Sequence, residues 1–196
     1  MPSRLPDAAL DQLFRTARSH NGFVDEPIDD DSMKSLYDLA KWGPTAANSC
    51  PLRIVFIRGN EAKERLRPVL APGNVAKAMS APVVALLGRD MTFHEHLPRL
   101  FPHADARSWF VGNQPLIEES ARLSASLQAG YLILAARALG LDCGPMSGFK
   151  AEAADRAFFA GTAIKSFMLV ALGRGNPGKL FPRSPRFDFA DACRIE

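Results

Sequence analysis

The chain has 196 residues, 47% hydrophobic and 23% charged, the balance of a globular protein long enough to bury a sizeable core in one domain, residues 1–196. Its net charge of +3 and pI of about 8.9 fall far short of the clustered Lys/Arg stripe of a nucleic-acid binder, and fit a small anionic ligand better. The three cysteines, Cys50, Cys143 and Cys193, are widely spaced, and the N-terminal stretch is charged where a secretory signal would be apolar; both lead us to expect a reduced, cytoplasmic protein with no membrane span.

Pro6 and Asp7 open a first predicted helix through about Arg18, with Leu10, Leu13, Phe14 and Ala17 on one face. The run Arg18-Ser19-His20-Asn21-Gly22 follows. Its turn signal and hydrogen-bond donors suit an anion grip, and equally suit a solvated helix end. A second helix begins near Asp30 or Asp31, directs Met33, Leu36, Tyr37 and Ala40 inward, and stops at Gly43-Pro44. The loop from Pro44 to Pro51 is stiff and polar, with Thr45 and Asn48 its notable side chains. Arg53 to Arg58 reads as a buried strand and Glu61 to about Leu70 as a charged helix broken at Pro72-Gly73-Asn74. A short helical piece then carries Asn74 and Lys77, ahead of a second buried strand from Pro82 to Gly88.

From Asp90 to Gly112 no period is clear. Aromatics mix there with His94, His96 and His103, the character of an active-site cover; no carboxylate or cysteine stands at a supporting spacing for a metal, and none is expected. The organising stretch runs from about Asn113 to Phe149. Its helical part is apolar on every face between Ala129 and Ala136, which predicts a buried axis, yet eight such residues are too few to cross a bilayer. Ala121, Ala125 and Ala129 recur every four residues, a stripe that admits a second helix from another copy or from the same chain. Gly140 ends the helix, Leu141 to Met146 is extended, and Ser147-Gly148-Phe149 makes a turn where backbone can approach a ligand closely. A helix from Ala151 to Ala160, a strand from Ser166 to Gly173 and a proline-rich tail complete the chain.

The loop Gly173 to Lys179 has the glycine and lysine spacing of a phosphate loop. Leu180 stands where a hydroxyl must reach magnesium, and Pro182 and Pro185 prevent the helix that should follow. Neither a nucleophile elbow nor a dinucleotide fingerprint occurs. What remains is a scattered set of donors: Arg18, Ser19, Asn21, Asn48, Asn74, Lys77, Lys179, Arg183 and the Ser147-Gly148 turn. A site made of donors suits a ligand that brings its own chemistry and negative charge, as flavin mononucleotide (FMN) does.

Several strings together resemble the nitroreductase family of FMN-dependent oxidoreductases, and especially its malonic semialdehyde reductase branch. They are HNG, KWGPTAAN, RIVF, KERLRP, the GN before Lys77, LFPHADARSWF, GLDCGPMSGF and KLFPRSPRFDF. The resemblance implies an α+β fold, with a mainly antiparallel sheet flanked by helices around the long axial helix. It implies an intertwined homodimer with two FMN sites at the subunit interface. Carried onto this chain, the phosphate motif falls on Arg18, Ser19 and Asn21, and the loop reaching the partner's flavin on Pro44, Thr45, Ala46 and Asn48. The residues at the polar end of the flavin ring are Asn74 and Lys77, the ring-facing turn is Ser147 and Gly148, and the C-terminal phosphate cation is Arg183, with Lys179 a weaker candidate. Many members have Gln and Trp at Cys50 and Leu52, an acidic residue at Ser147, and an Arg where Ala17 stands unless the register moves to Arg18; these differences bear on the acceptor rather than the cofactor.

The expected activity is therefore ping-pong transfer of hydride from NADPH or NADH through FMN to a small carbonyl, with malonic semialdehyde to 3-hydroxypropionate first, Lys77 as electrostatic stabiliser, and Arg107 or a histidine of the covering segment holding the substrate carboxylate. A broad nitro or quinone reductase is the alternative of the same class. A flavin-binding or interaction protein without turnover is the alternative of another.

Overall fold

Strand-forming runs rich in Val, Ile and Leu alternate along the chain with helix-forming ones, and the sheet they build has helices on both faces. The computed structural model describes residues 3–196. Strands β1 (Leu52–Arg58), β2 (Val83–Asp90), β3 (Asp142–Met146) and β4 (Ile164–Gly173) lie in the order β1-β2-β4-β3, antiparallel at every pairing. The period-2 alternation of strands divides the buried residues between two layers. Val84, Leu86, Leu169 and Ala171 pack with Leu66, Ala78, Ala154 and Phe159 on one face. Val83, Ala85, Leu87, Val170 and Leu172 pack with Leu36, Ala40, Ala129, Leu132 and Ala136 on the other.

The first layer is α3 (Asn60–Leu66), α4 (Pro72–Ser80) and α7 (Ala151–Phe158); the second is α2 (Asp30–Ala40) and α6 (Gln114–Ala138). Asp29 caps α2 by accepting from the Ser32 N–H at 2.7 Å, and Asn113 caps α6 by accepting from the Leu116 N–H at 3.2 Å. Gly140, at φ 77°, ends α6 in the left-handed conformation that only glycine adopts freely. The unpatterned segment folds as short turns at Phe93–His96 and Ala106–Trp109 around α5 (Leu97–Leu100). Phe93, Leu97, Ala106 and Phe110 form a small core of their own against Ile117 and Ala121 of α6. No helix among the described residues is long and apolar enough to cross a membrane.

Three expectations are corrected here. The first helix is α1 (Asp7–Leu10) and then widens to a π-helical turn, Asp11–Arg15, which shifts the register and leaves Phe14 53% exposed. Tyr37 on α2 also turns outward, at 51%. Most consequential, α6 is buried on one face only. Ala121, Ala125 and Ala129 are enclosed by their own chain, whereas Leu123, Leu127 and Tyr131 form an outward stripe of the same spacing, 54%, 45% and 40% exposed. The tail, ending in α8 (Phe189–Ala192), leaves Phe181, Phe187, Phe189 and Ile195 exposed.

Candidate functional site

The polar run after the first helix does not end in solvent. Ser19 bridges Cys143, the His20 N–H donates to the Cys143 carbonyl at 2.9 Å, and Phe23 bridges Gly175. The Val24 N–H donates to Arg174 O at 2.9 Å and the Asn176 N–H to Gly22 O at 2.9 Å, so residues 19–24 lie extended between β3 and the chain leaving β4. This draws the two termini together. Arg18 donates to the Phe181 carbonyl at 2.6 Å and Arg183 donates to the Ala17 carbonyl at 2.8 Å. The Lys179 stem lies on Gly22, where a Cβ would stand 3.0 Å from its Cγ. Ser19 is exposed and Asn21 half-buried beside them.

The second group adjoins the first through Gly144, at which a Cβ would meet both the His20 carbonyl (2.6 Å) and the Lys77 stem (3.1 Å). Lys77 is half-buried on α4, and burial pushes its ammonium pKa below the usual range. On the same helix Asn74 donates its amide to the Gly148 carbonyl at 2.9 Å, and the Ala71 N–H donates to that carbonyl at 3.0 Å. With its carbonyl doubly occupied, the Gly148 turn has its N–H left to offer; Ser147 beside it is exposed. Arg18, Lys77, Lys179 and Arg183 make no ion pair with a carboxylate among the described residues.

Pro44, Thr45, Ala46 and Asn48 lie elsewhere. They precede β1, whose Leu52 sits opposite Arg89, itself opposite Lys165, while Asp142 pairs at the other end of β4 with Gly173. The loop and the cations thus occupy diagonal corners, on edge strands three inter-strand steps of about 4.8 Å apart. In the loop Ala47, Asn48 and Cys50 hold φ of 49°, 48° and 42°, a region costly to residues with a Cβ. Three bonds fix it: Asn48 Nδ2 to Leu100 O (2.8 Å), Cys50 N–H to Thr45 Oγ1 (3.2 Å) and Ala46 N–H to Ser124 Oγ (3.3 Å). Beside it opens a groove of about 770 Å³ lined by Trp42, Asn48, Cys50, Arg53, His96 and Arg99.

Arg107 is already paired with a carboxylate, its Nε and Nη2 donating to Glu95 at 2.7 and 2.9 Å. The three histidines have separate surroundings: His94 is 3.4 Å from Glu95, His96 is 3.5 Å from Asp90, and His103 lies edge-on to Phe101. No metal-binding set of His, Cys, Asp and Glu assembles among the described residues. Burial pushes the Cys143 thiol up to about 12, so it stays protonated and unreactive. Sequence reasoning missed Asp142. Its carboxylate is 3.2 Å from His20 Nε2 and accepts the Gly175 N–H at 2.8 Å. The only trace in the sequence was a histidine inside a polar run and a glycine-rich loop far beyond it.

The nitroreductase family model matches residues 14–174. A Burkholderia lata protein carrying the name NADH dehydrogenase/NAD(P)H nitroreductase is 64% identical over 192 residues, 98% of each chain. A Stenotrophomonas maltophilia protein of the same name is 58% identical over 195 residues, 100% of each. Among solved structures, an Exiguobacterium sibiricum nitroreductase in complex with FMN superposes with a TM-score of 0.84 at 19% identity, covering 100% of both chains. A Bacillus subtilis nitroreductase does so with a TM-score of 0.84 at 21% identity, over 97% of this chain and 100% of that one. The α+β architecture is thus nitroreductase-like, and with a family match over most of its length and close full-length relatives, the chain belongs to the nitroreductase family.

Proposed function

We propose that the chain is an FMN-dependent NAD(P)H oxidoreductase that works as a homodimer and reduces a small carbonyl compound, malonic semialdehyde first. The observation that carries this reading is the gathering of Arg18, Lys179 and Arg183, far apart in sequence and free of carboxylate partners, one glycine away from Lys77 and the Asn74–Gly148 turn. That donor set fits a phosphate at one end and an electron-accepting ring at the other. The names of close relatives and the FMN complex of a structural neighbour support the same cofactor and reductant.

FMN, when bound, supplies the two-electron chemistry that links NAD(P)H to the acceptor. Arg18, Lys179 and Arg183 hold the phosphate, with Ser19 and Asn21 as neutral donors beside them. Lys77 would stabilise negative charge at the polar end of the ring; its own burial holds its pKa below the usual range. Asn74, anchored on the Gly148 carbonyl, would keep the turn in place and leave the Gly148 N–H for the ligand. Pro44, Thr45, Ala46 and Asn48 serve the site of the partner subunit. The exposed stripe Leu123, Leu127 and Tyr131, with Trp42 76% exposed nearby, supports burial against a second copy. His96 and Arg99, lining the groove beside Asn48, offer hydrogen-bond donors to an acceptor's carboxylate in place of Arg107.

A broad nitro or quinone reductase is the second reading, favoured by the name that the relatives carry. An anaerobic spectrum of the FMN-supplied protein decides between them. Bleaching by NADPH or NADH, followed by recovery on adding malonic semialdehyde, is the expected result. Recovery only with quinones or nitroaromatics selects the second reading. Bound flavin that neither nucleotide bleaches would make this a flavin-binding protein without turnover.

A further inference from the structure

We infer that buried His20 and its partner Asp142 form a clamp that sets the spacing of the phosphate grip, and so decides how far the protein prefers FMN to the phosphate-free flavin, riboflavin. This rests on the flavin reading above. The His20 side chain is only 8% exposed, its Nε2 is 3.2 Å from Asp142 Oδ1, and its Nδ1 is buried without a hydrogen-bond partner. A histidine buried with one nitrogen unsatisfied costs stability, so packing elsewhere must hold it there.

The packing is specific. A Cβ on Gly175 would overlap the imidazole, and a Cβ on Gly144 would stand 2.6 Å from the His20 carbonyl, so two glycines make room for one residue. Asp142 then ties the third side, since its second oxygen accepts the Gly175 N–H at 2.8 Å. Three chain segments therefore meet at His20: residues 18–24, the start of β3, and the turn after β4. Two of them carry the cations. Arg18 and Ser19 directly precede His20, and Gly175 stands four residues before Lys179 and eight before Arg183. Moving the imidazole moves one cationic arm against the other, while Asn74 and Gly148 are tied separately, the Gly148 carbonyl accepting both the Asn74 amide and the Ala71 N–H. His20 and Asp142 are positioning residues, acting on phosphate through their neighbours.

The test measures dissociation constants of FMN and of riboflavin, by flavin fluorescence, for the wild type, His20→Ala, His20→Gln and Asp142→Asn. Wild type should bind FMN more tightly than riboflavin. His20→Ala and Asp142→Asn should each weaken FMN on the order of tenfold, with riboflavin unchanged, the scale of one charge-assisted contact. His20→Gln, which can return an N–H to the Nε2 position, should restore most of the preference. Equal weakening of both flavins, or no weakening of either, would overturn the clamp and leave His20 a packing residue. Wild type that binds neither flavin would overturn the cofactor reading itself. If His20→Ala does not fold, Asp142→Asn, whose side chain is 39% exposed, gives the answer alone.

Discussion

The two diagonal corners of the sheet are finished to different degrees. At the β3 corner the chain closes on itself: residues 17–24, 142–148 and 174–183 are tied by backbone pairing and by the crossed Arg18 and Arg183 bonds. At the β1 corner a loop with three left-handed non-glycine residues stands beside an open groove, an exposed Trp42 and the outward stripe of α6. Strain is tolerated where surroundings hold it, and apolar area is exposed where something is to cover it. On the proposed reading, the difference means that one chain assembles the cationic half of a site and presents, rather than uses, the other half. Two copies then exchange these halves.

The largest effect should come from denying the β1 corner its cover. Leu127→Glu puts a carboxylate in the middle of the outward stripe. Burying it unpaired would cost several kcal/mol, on top of the roughly 1.5–3 kcal/mol lost with a buried leucine side chain. Sedimentation should show a dimer for the wild type and a monomer for the variant, with flavin retention abolished. An unchanged dimer would mean that the stripe is not the contact, and a monomeric wild type would end the exchange of halves. Next comes the finished corner. Lys77→Ala should slow flavin reduction by NADPH about a hundredfold, the order of 3 kcal/mol that one well-placed donor contributes, with the fold intact. Stopped-flow reduction at saturating flavin reads this directly, and an unaltered rate would remove Lys77 from the chemistry.

How much of this was legible depends on how local each signal is. The strands were readable because Ile54 to Ile57, Val83 to Leu87 and Leu169 to Leu172 are unbroken apolar runs, and their ends moved by only one or two residues. The start of α6 near Asn113 and its end at Gly140 were readable for the same reason. Which apolar face of α6 meets its own chain was not: the alanines and the Leu123, Leu127, Tyr131 stripe share one spacing, and only tertiary packing chooses between them. Side-chain donors were identifiable by type, through the resemblance, but the crossed arginines and the His20–Asp142 contact join distant segments and leave no periodic trace. A π-helical turn at Asp11–Arg15 has no compositional signature, so Phe14 was assigned to the wrong side.

A smaller effect separates packed from open backbone within the finished corner. Gly144→Ala forces a methyl to within 2.6 Å of the His20 carbonyl, and backbone cannot yield as a side chain does, so a loss of about 1–3 kcal/mol is expected. Gly73→Ala, in α4 with nothing within 4 Å of its Cβ, should instead gain about 0.4–1 kcal/mol. Urea melts of the two variants check the contrast. Equal effects would show that the three segments do not meet as tightly as described.

The smallest effect is a difference in pH response between the corners. At the β1 corner burial alone would raise the Asp90 carboxyl, but hydrogen bonds from the Thr92 hydroxyl and N–H, with the charges of Arg53 and His96, outweigh it and hold the pKa below the usual range. The unfolded chain then binds that proton more tightly, so Asp90 contributes stability above the ordinary carboxylate pKa and loses it as pH falls through the folded value. At the β3 corner Lys77 is lowered by desolvation. The unfolded chain again binds the proton more tightly, so stability held down at neutral pH rises as pH climbs through the folded pKa toward the ordinary lysine value. Asp90→Asn should flatten only the acid limb of flavin-free stability and Lys77→Met only the alkaline limb. Adding reduced FMN, whose ring is anionic, should erase the Lys77 share of the alkaline rise, the part that Lys77→Met removes, because negative charge beside Lys77 raises its pKa. Lys63, also lowered by burial, keeps its own share. A Lys77 share of the alkaline rise that survives saturating reduced FMN would place the ring's negative charge away from Lys77, and with it the polar end of the ring away from the corner that the chain finishes by itself.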